Sequence, residues 1–160
     1  MDDSGLEPSA EQKSEIKDIR FAAMDLLARR EHSRRELLAK LRRRFNDVDT
    51  IESVIDRLSD ENLQSDDRFT EAYTRMRKRK GYGPVRILME LREKGIADDL
   101  ASGWVYDEEH DWYEAASLAW QKKFNQLPRD PKERAKQMRF LQYRGFSSDH
   151  IAEALSCSID

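Results

Sequence analysis

Apolar positions along this chain fall on one another when the sequence is shifted by fifty residues. Leu38, Leu88 and Met138 coincide, and so do Leu41, Leu91 and Leu141. Ile51, Ala101 and Ile151 form a third set, and Ile55, Val105 and Leu155 a fourth. Gly95 and Gly145 also coincide, each followed by an apolar residue, within "LREKGI" and "LQYRGF". A constant offset held across three copies marks a repeated supersecondary unit.

Each copy carries signals for three helices. In the first, a helix over about Ile16 to Arg30 places Ile19, Ala23, Leu26 and Leu27 on one face. "SRRE" at 33–36 is a capping box before a helix carrying Leu37, Leu38 and Leu41. "DTIE" at 49–52 caps a third, with Ile51, Val54, Ile55 and Leu58 facing inward. The second copy starts near Asp67 with a stripe of Phe69, Ala72, Tyr73 and Met76. Gly83-Pro84 opens its next helix, because proline is tolerated where the amide has no partner, and Gly95 ends it. The third starts near Asp111 with Tyr113, Ala116 and Trp120, then carries an inserted loop around "NQLPRD". "DPKE" at 130–133 caps its second helix, and Ser147 or Ser148 its last. The expected architecture is all-α, an elongated tandem array of three three-helix units. A flexible acidic tail is expected over 1–15, with units at 16–64, 65–108 and 109–160.

Composition agrees with small bundles bearing charged outer faces, since 38% of residues are charged and only 38% hydrophobic. A net charge of -3 hides an uneven distribution. Residues 20–46 hold nine basic residues against Asp25, Glu31 and Glu36, and residues 75–94 hold eight against Glu90 and Glu93. The single cysteine, Cys157, permits no disulfide within the chain and points to a reducing compartment. No apolar run approaches the roughly 20 residues that span a bilayer, and the acidic N-terminus is unlike a signal peptide. A cytoplasmic, monomeric protein without a membrane partner is expected.

No constellation for catalysis stands out. His32, His110 and His150 lack partners at metal-ligand spacing, and "DEEHDW" around His110 reads as a solvated acidic linker. There is no phosphate loop, dinucleotide fingerprint or nucleophile elbow, and Cys157 has no base nearby in sequence. The chain is expected to be a binder, not an enzyme, with no cofactor and no metal.

The basic runs are the candidate binding surface. Cations at the end of a helix stabilise its dipole, but that accounts for one or two of Arg75, Arg77, Lys78, Arg79 and Lys80. Like charges three or four positions apart repel by a few tenths of a kcal/mol per pair. An anionic partner explains the remainder. The first unit repeats the arrangement with Arg29 and Arg30 before its corner and Arg34 and Arg35 after it, the latter two unfavourably placed at a helix N-terminus. Both corners are expected along one side of the array. Tyr82 places a ring beside the second corner, able to stack on a base or to fill a pocket. Trp104, Trp112 and Trp120 fit core or inter-unit packing better than base stacking.

"AMDLLARREHSRRELLAKL" (23–41), "VIDRLSDENLQSDDRFTEAYTRMRKRKGYGPVRILMELREKGI" (54–96) and "FLQYRGF" (140–146) together resemble the RecX family of bacterial RecA regulators. The resemblance spans about residues 18 to 156 and implies tandem three-helix repeats. It also implies a protein that binds RecA and its nucleoprotein filament and limits strand exchange, ATP hydrolysis and the co-protease activity behind the SOS response. Direct binding to single- or double-stranded DNA is implied as well. The two basic stretches, with Tyr82 beside the second, put the expected contacts to acidic protein surface or phosphate at Arg77, Arg79, Lys80, Tyr82, Arg86, Arg92 and Lys94, with Arg29, Arg30, Arg34 and Arg35 secondary. Two departures are visible. "RRRFND" replaces a Lys-Gly helix end in the first unit, so an irregular or longer terminus is expected there. The third unit is weakly basic at its first corner apart from Lys122 and Lys123, and a smaller share of DNA contact is expected from it. A helix-turn-helix transcription regulator is the alternative, although its recognition helix would start with the largely apolar "GPVRIL".

Overall fold

The computed structural model describes residues 7–156; Cys157, to which the thiol reading applied, lies outside them. Among the described residues there are nine α-helices and no strand. They run α1 (Ala10–Arg29), α2 (Arg34–Leu41), α3 (Val48–Asp60), α4 (Asp66–Arg79), α5 (Pro84–Glu93), α6 (Asp98–Val105), α7 (Trp112–Lys123), α8 (Pro131–Arg144) and α9 (Ser148–Ser156). None is long and apolar enough to cross a membrane. The chain divides into two compact units between Phe69 and Thr70, inside α4.

In the first unit, α1, α2 and α3 pack on one another around Ile19, Ala22, Ala23, Leu37, Leu41, Ile51, Val54, Ile55 and Leu58. The Ser33 cap forms as expected, its hydroxyl accepting from the Glu36 amide at 3.1 Å while Glu36 accepts from the Ser33 amide at 3.2 Å. Two starts differ from expectation. Residues 10–15, assigned to a flexible tail, are helical because Ser9 and Gln12 make a second capping box. α3 is capped by Asp47, one residue outside the helix, and not by "DTIE": Asp47 accepts from the Thr50 amide and hydroxyl. After α2 the chain turns through Arg42–Arg44 and Phe45 N–H donates to the Leu41 carbonyl, so this terminus is irregular, and α2 is shorter than α5 or α8.

In the second unit α5 packs on α6, and α7 on α9 and α8. The fifty-residue echo is written in burial: Leu41, Leu91 and Leu141 are fully buried, and so are Ile51, Ala101 and Ile151. Gly95 and Gly145 both adopt the left-handed conformation that closes a helix, at φ 83° and 99°. Two stripes are rotated from expectation. α4 turns Thr70 and Thr74 inward beside Phe69 and leaves Ala72 exposed, because the buried positions follow the i, i+4 row from Asp66. α7 buries Trp112, Ala115, Ala116 and Trp120, while Tyr113 is partly exposed and makes a T-shaped contact with the His150 ring. Trp112 donates to the Val105 carbonyl and Trp120 to Gln137, so these two indoles are core groups.

Gly83 has a different reason from the one its turn suggests. Its φ is −98°, open to any residue. Instead it lies against the end of α8, where a Cβ would come within 2.6 Å of the Gly145 backbone. The Gly83 and Val85 amides donate to the carbonyls of Arg144 and Gly145 at 2.7 and 2.9 Å. The start of α5 is thereby sealed by the end of α8.

Candidate partner and nucleic-acid interface

At the first corner most cations already have acidic neighbours. Arg29 pairs with Asp25 at 3.0 Å and Arg30 with Glu36 at 3.2 Å. Arg34 pairs with Asp56 at 2.6 Å, and its amide donates to Asp66, so the cost of a cation at this helix N-terminus is offset. Arg35 is exposed. Beneath them His32 is buried, its Nδ1 facing the Arg30 carbonyl at 3.1 Å and its Nε2 the Lys40 ammonium at 2.9 Å. Those partners require a neutral ring protonated on Nδ1. Burial, reinforced by the charges of Arg30 and Lys40, lowers the pKa accordingly.

The second corner is ordered around one carboxylate. Glu90 accepts two hydrogen bonds from Arg77, both at 2.8 Å, one from the Tyr73 hydroxyl at 2.9 Å, and a longer one from Arg86 at 3.4 Å. Burial disfavours both charges, but these hydrogen bonds outweigh it: the Glu90 pKa falls and the Arg77 pKa rises. Three guanidinium groups surround the Tyr82 ring, with Arg77 at 3.7 Å, Arg86 at 4.5 Å and Arg144 at 4.8 Å from its centroid. Tyr82 is thus a cation-holding ring and not a core anchor.

The structure therefore brings Arg77, Arg79, Lys80, Tyr82 and Arg86 to one corner, where α4 ends and α5 begins. Arg92 and Lys94 lie about 12 Å or more along α5, where Arg92 pairs with Asp98 and Lys94 lies over Tyr73. Arg75 is bound by Glu71 and Glu109. Arg79 and Lys80 make no ion pair among the described residues and are exposed. Sequence reasoning missed Arg144 and Tyr143 on α8. Their signal was present in "LQYRGF", which aligns Arg144 with Lys94, but nothing local says that the end of α8 meets the start of α5.

A cleft of about 470 Å³ opens beside this corner, between the end of α4 and the outer face of α7. Arg79, Lys80 and Lys122 stand at it with Leu118 and His110. The acidic residues around His110 are exposed, as expected of a solvated linker, but the imidazole side chain among them is only 3% exposed. Its Nδ1 lies 3.3 Å from Lys78, and its Nε2 sits near Glu109 without a well-aligned hydrogen bond. Burial and then the Lys78 charge lower its pKa. Among the described residues no group of histidine, cysteine and carboxylate could hold a metal ion.

Models for the first, second and third three-helix domains of RecX match residues 20–58, 65–102 and 109–155. The chain belongs to the RecX family. "Regulatory protein RecX" of Pseudomonas putida (strain GB-1) is 48% identical over 139 residues, covering 86% of this chain and 89% of that protein. The protein of the same name from Pseudomonas tolaasii is 49% identical over 142 residues, covering 86% and 90%. The crystal structure of RecX from Lactobacillus salivarius superposes with a TM-score of 0.75 at 27% identity, over 89% of this chain and 96% of that one. The helical order α1–α3, α4–α6 and α7–α9 thus follows the family's three domains, and the corner around Tyr82 lies where the second meets the third.

Proposed function

We propose that the chain is a non-enzymatic regulator that binds the RecA recombinase and its DNA filament in the cytoplasm. On this reading it limits recombinase, ATPase and co-protease activity, and so DNA repair and the SOS response. Membership of a family whose members are called regulatory proteins carries the reading. The corner of α4 and α5 supports it, with Arg79 and Lys80 exposed and without an ion pair among the described residues, above an arginine-rich floor. Cations held this way suit phosphate oxygens or an acidic protein surface. Arg77 supports the site from beneath, since its charge is already committed to Glu90. The helix-turn-helix alternative has less support, because the amides at the start of α5 are held by the carbonyls of Arg144 and Gly145, and the side chains it exposes include the apolar Val85 and Met89.

The test is ATP hydrolysis by the cognate recombinase on single-stranded DNA. The unaltered protein is expected to inhibit it, and the double variant Arg79→Glu, Lys80→Glu to lose most of that inhibition with unchanged helicity. Full inhibition by the double variant would remove these two residues from the contact. No inhibition by the unaltered protein would sink the proposal itself.

A further inference from the structure

Aromatic and guanidinium groups alternate through the second corner as a continuous stack. Arg77 lies 3.7 Å from the Tyr82 ring centroid; on that ring also rests Arg86, at 4.5 Å, which in turn lies 5.3 Å from the ring of Tyr143. The inner end is closed by the paired hydrogen bonds of Arg77 to Glu90. The outer end is open: Tyr143 is 77% exposed, and among the described residues no second ring or cation stacks on it. Phe21 is equally exposed, but among the described residues no guanidinium rests on its ring as Arg86 does on that of Tyr143.

Charge around the open ring is unbalanced in one direction. Arg77 and Arg86 share the single carboxylate of Glu90. Among the described residues Arg144 has no acidic partner; its guanidinium donates to the Lys80 carbonyl at 3.3 Å and lies over Tyr82 and Phe140. We propose that Tyr143 continues the stack onto an unpaired base of single-stranded DNA, while Arg144, Arg86 and Lys80 take neighbouring phosphates. This rests on the DNA-binding part of the reading above, and adds which strand state is recognised and by which ring. A base within a duplex has both faces covered by its neighbours, so only an unpaired base can offer a face to Tyr143. Guanidinium groups suit both roles, stacking on rings and forking onto phosphate.

Binding is read by fluorescence anisotropy with a labelled oligothymidylate and a labelled two-strand duplex without overhangs or loop, without recombinase. Tyr143→Ala is expected to weaken the oligothymidylate complex by roughly fivefold or more, the range of one lost base stack. Duplex affinity and the slope of log affinity against log salt should not change, because no charge is removed. Tyr143→Phe should bind like the unaltered protein. Equal loss on both probes, no loss, or loss with phenylalanine would overturn the inference, as would failure of the unaltered protein to bind oligothymidylate. In that last case, inhibition of recombinase ATP hydrolysis by the same preparation would leave the regulatory reading standing. Conversely, a single-strand-selective loss in Tyr143→Ala with no effect on recombinase would retain the base contact and remove the regulatory role.

Discussion

Glu90 is the residue on which the second corner depends, since it neutralises Arg77 and Arg86 and accepts from Tyr73 as well. Removing Arg77 leaves the mostly buried Glu90 with only the longer Arg86 contact and the Tyr73 hydroxyl. Arg77→Ala is therefore expected to lower stability by about 2–3 kcal/mol in urea unfolding, and a charge reversal to lower it further. A functional loss in any Arg77 variant would for that reason say nothing about direct contact. The basic run was legible as a run, but the partner of Arg77 is thirteen residues away, on the next helix. Spacing along a chain cannot say which of five neighbouring cations a folded carboxylate will claim. Glycines divide in the same way. The left-handed Gly95 and Gly145 follow from helix-end chemistry, whereas the close approach at Gly83 exists only once α8 has docked.

Helices were the most legible elements, because apolar period and caps are local properties. Ser33, Asp130 and Pro84 sit where capping chemistry places them. Ser33→Ala should cost about 1 kcal/mol, read as a shift in thermal midpoint. The start of α1 was masked by its polar composition, although Ser9 and Gln12 are a valid box. The rotated stripes of α4 and α7 have another cause. On α4 threonine methyl groups pack inward, so side-chain size misleads about the inward face, and on α7 Trp112, Ala116 and Trp120 form the i, i+4 row beside which Tyr113 lies. Within α6, Gly103 has open space where a side-chain methyl would stand, and no positive φ. Gly103→Ala is expected to raise stability by about 0.5–1 kcal/mol, through helix propensity alone.

For the molecule as a whole, the histidines set the response to acid. His32, His110 and His150 all have pKa values lowered by burial, from an ordinary value of 6.5. The unfolded chain therefore takes up protons first, and stability rises with pH across this window. Stability should be complete above about pH 6.5 and fall as acid titrates the unfolded histidines. Glu61, Glu90 and Glu109, held below the usual 4.5, add a further loss at lower pH, because their stabilisation disappears as the folded carboxylates protonate. Urea midpoints measured at neutrality and near pH 5.5 check this, and His110→Gln should flatten the difference; an unchanged slope would exclude His110 as a contributor. The Gly83–Gly145 contact has a consequence for how repeats can be divided. Two amides at the start of α5 find their acceptors only at the C-terminal end of α8. Amide protons of Gly83 and Val85 should then exchange with solvent at the rate of α8, not at that of their own helix end. A chain cut after Asp107 would expose both, so the middle repeat is a module in sequence but not in cooperativity.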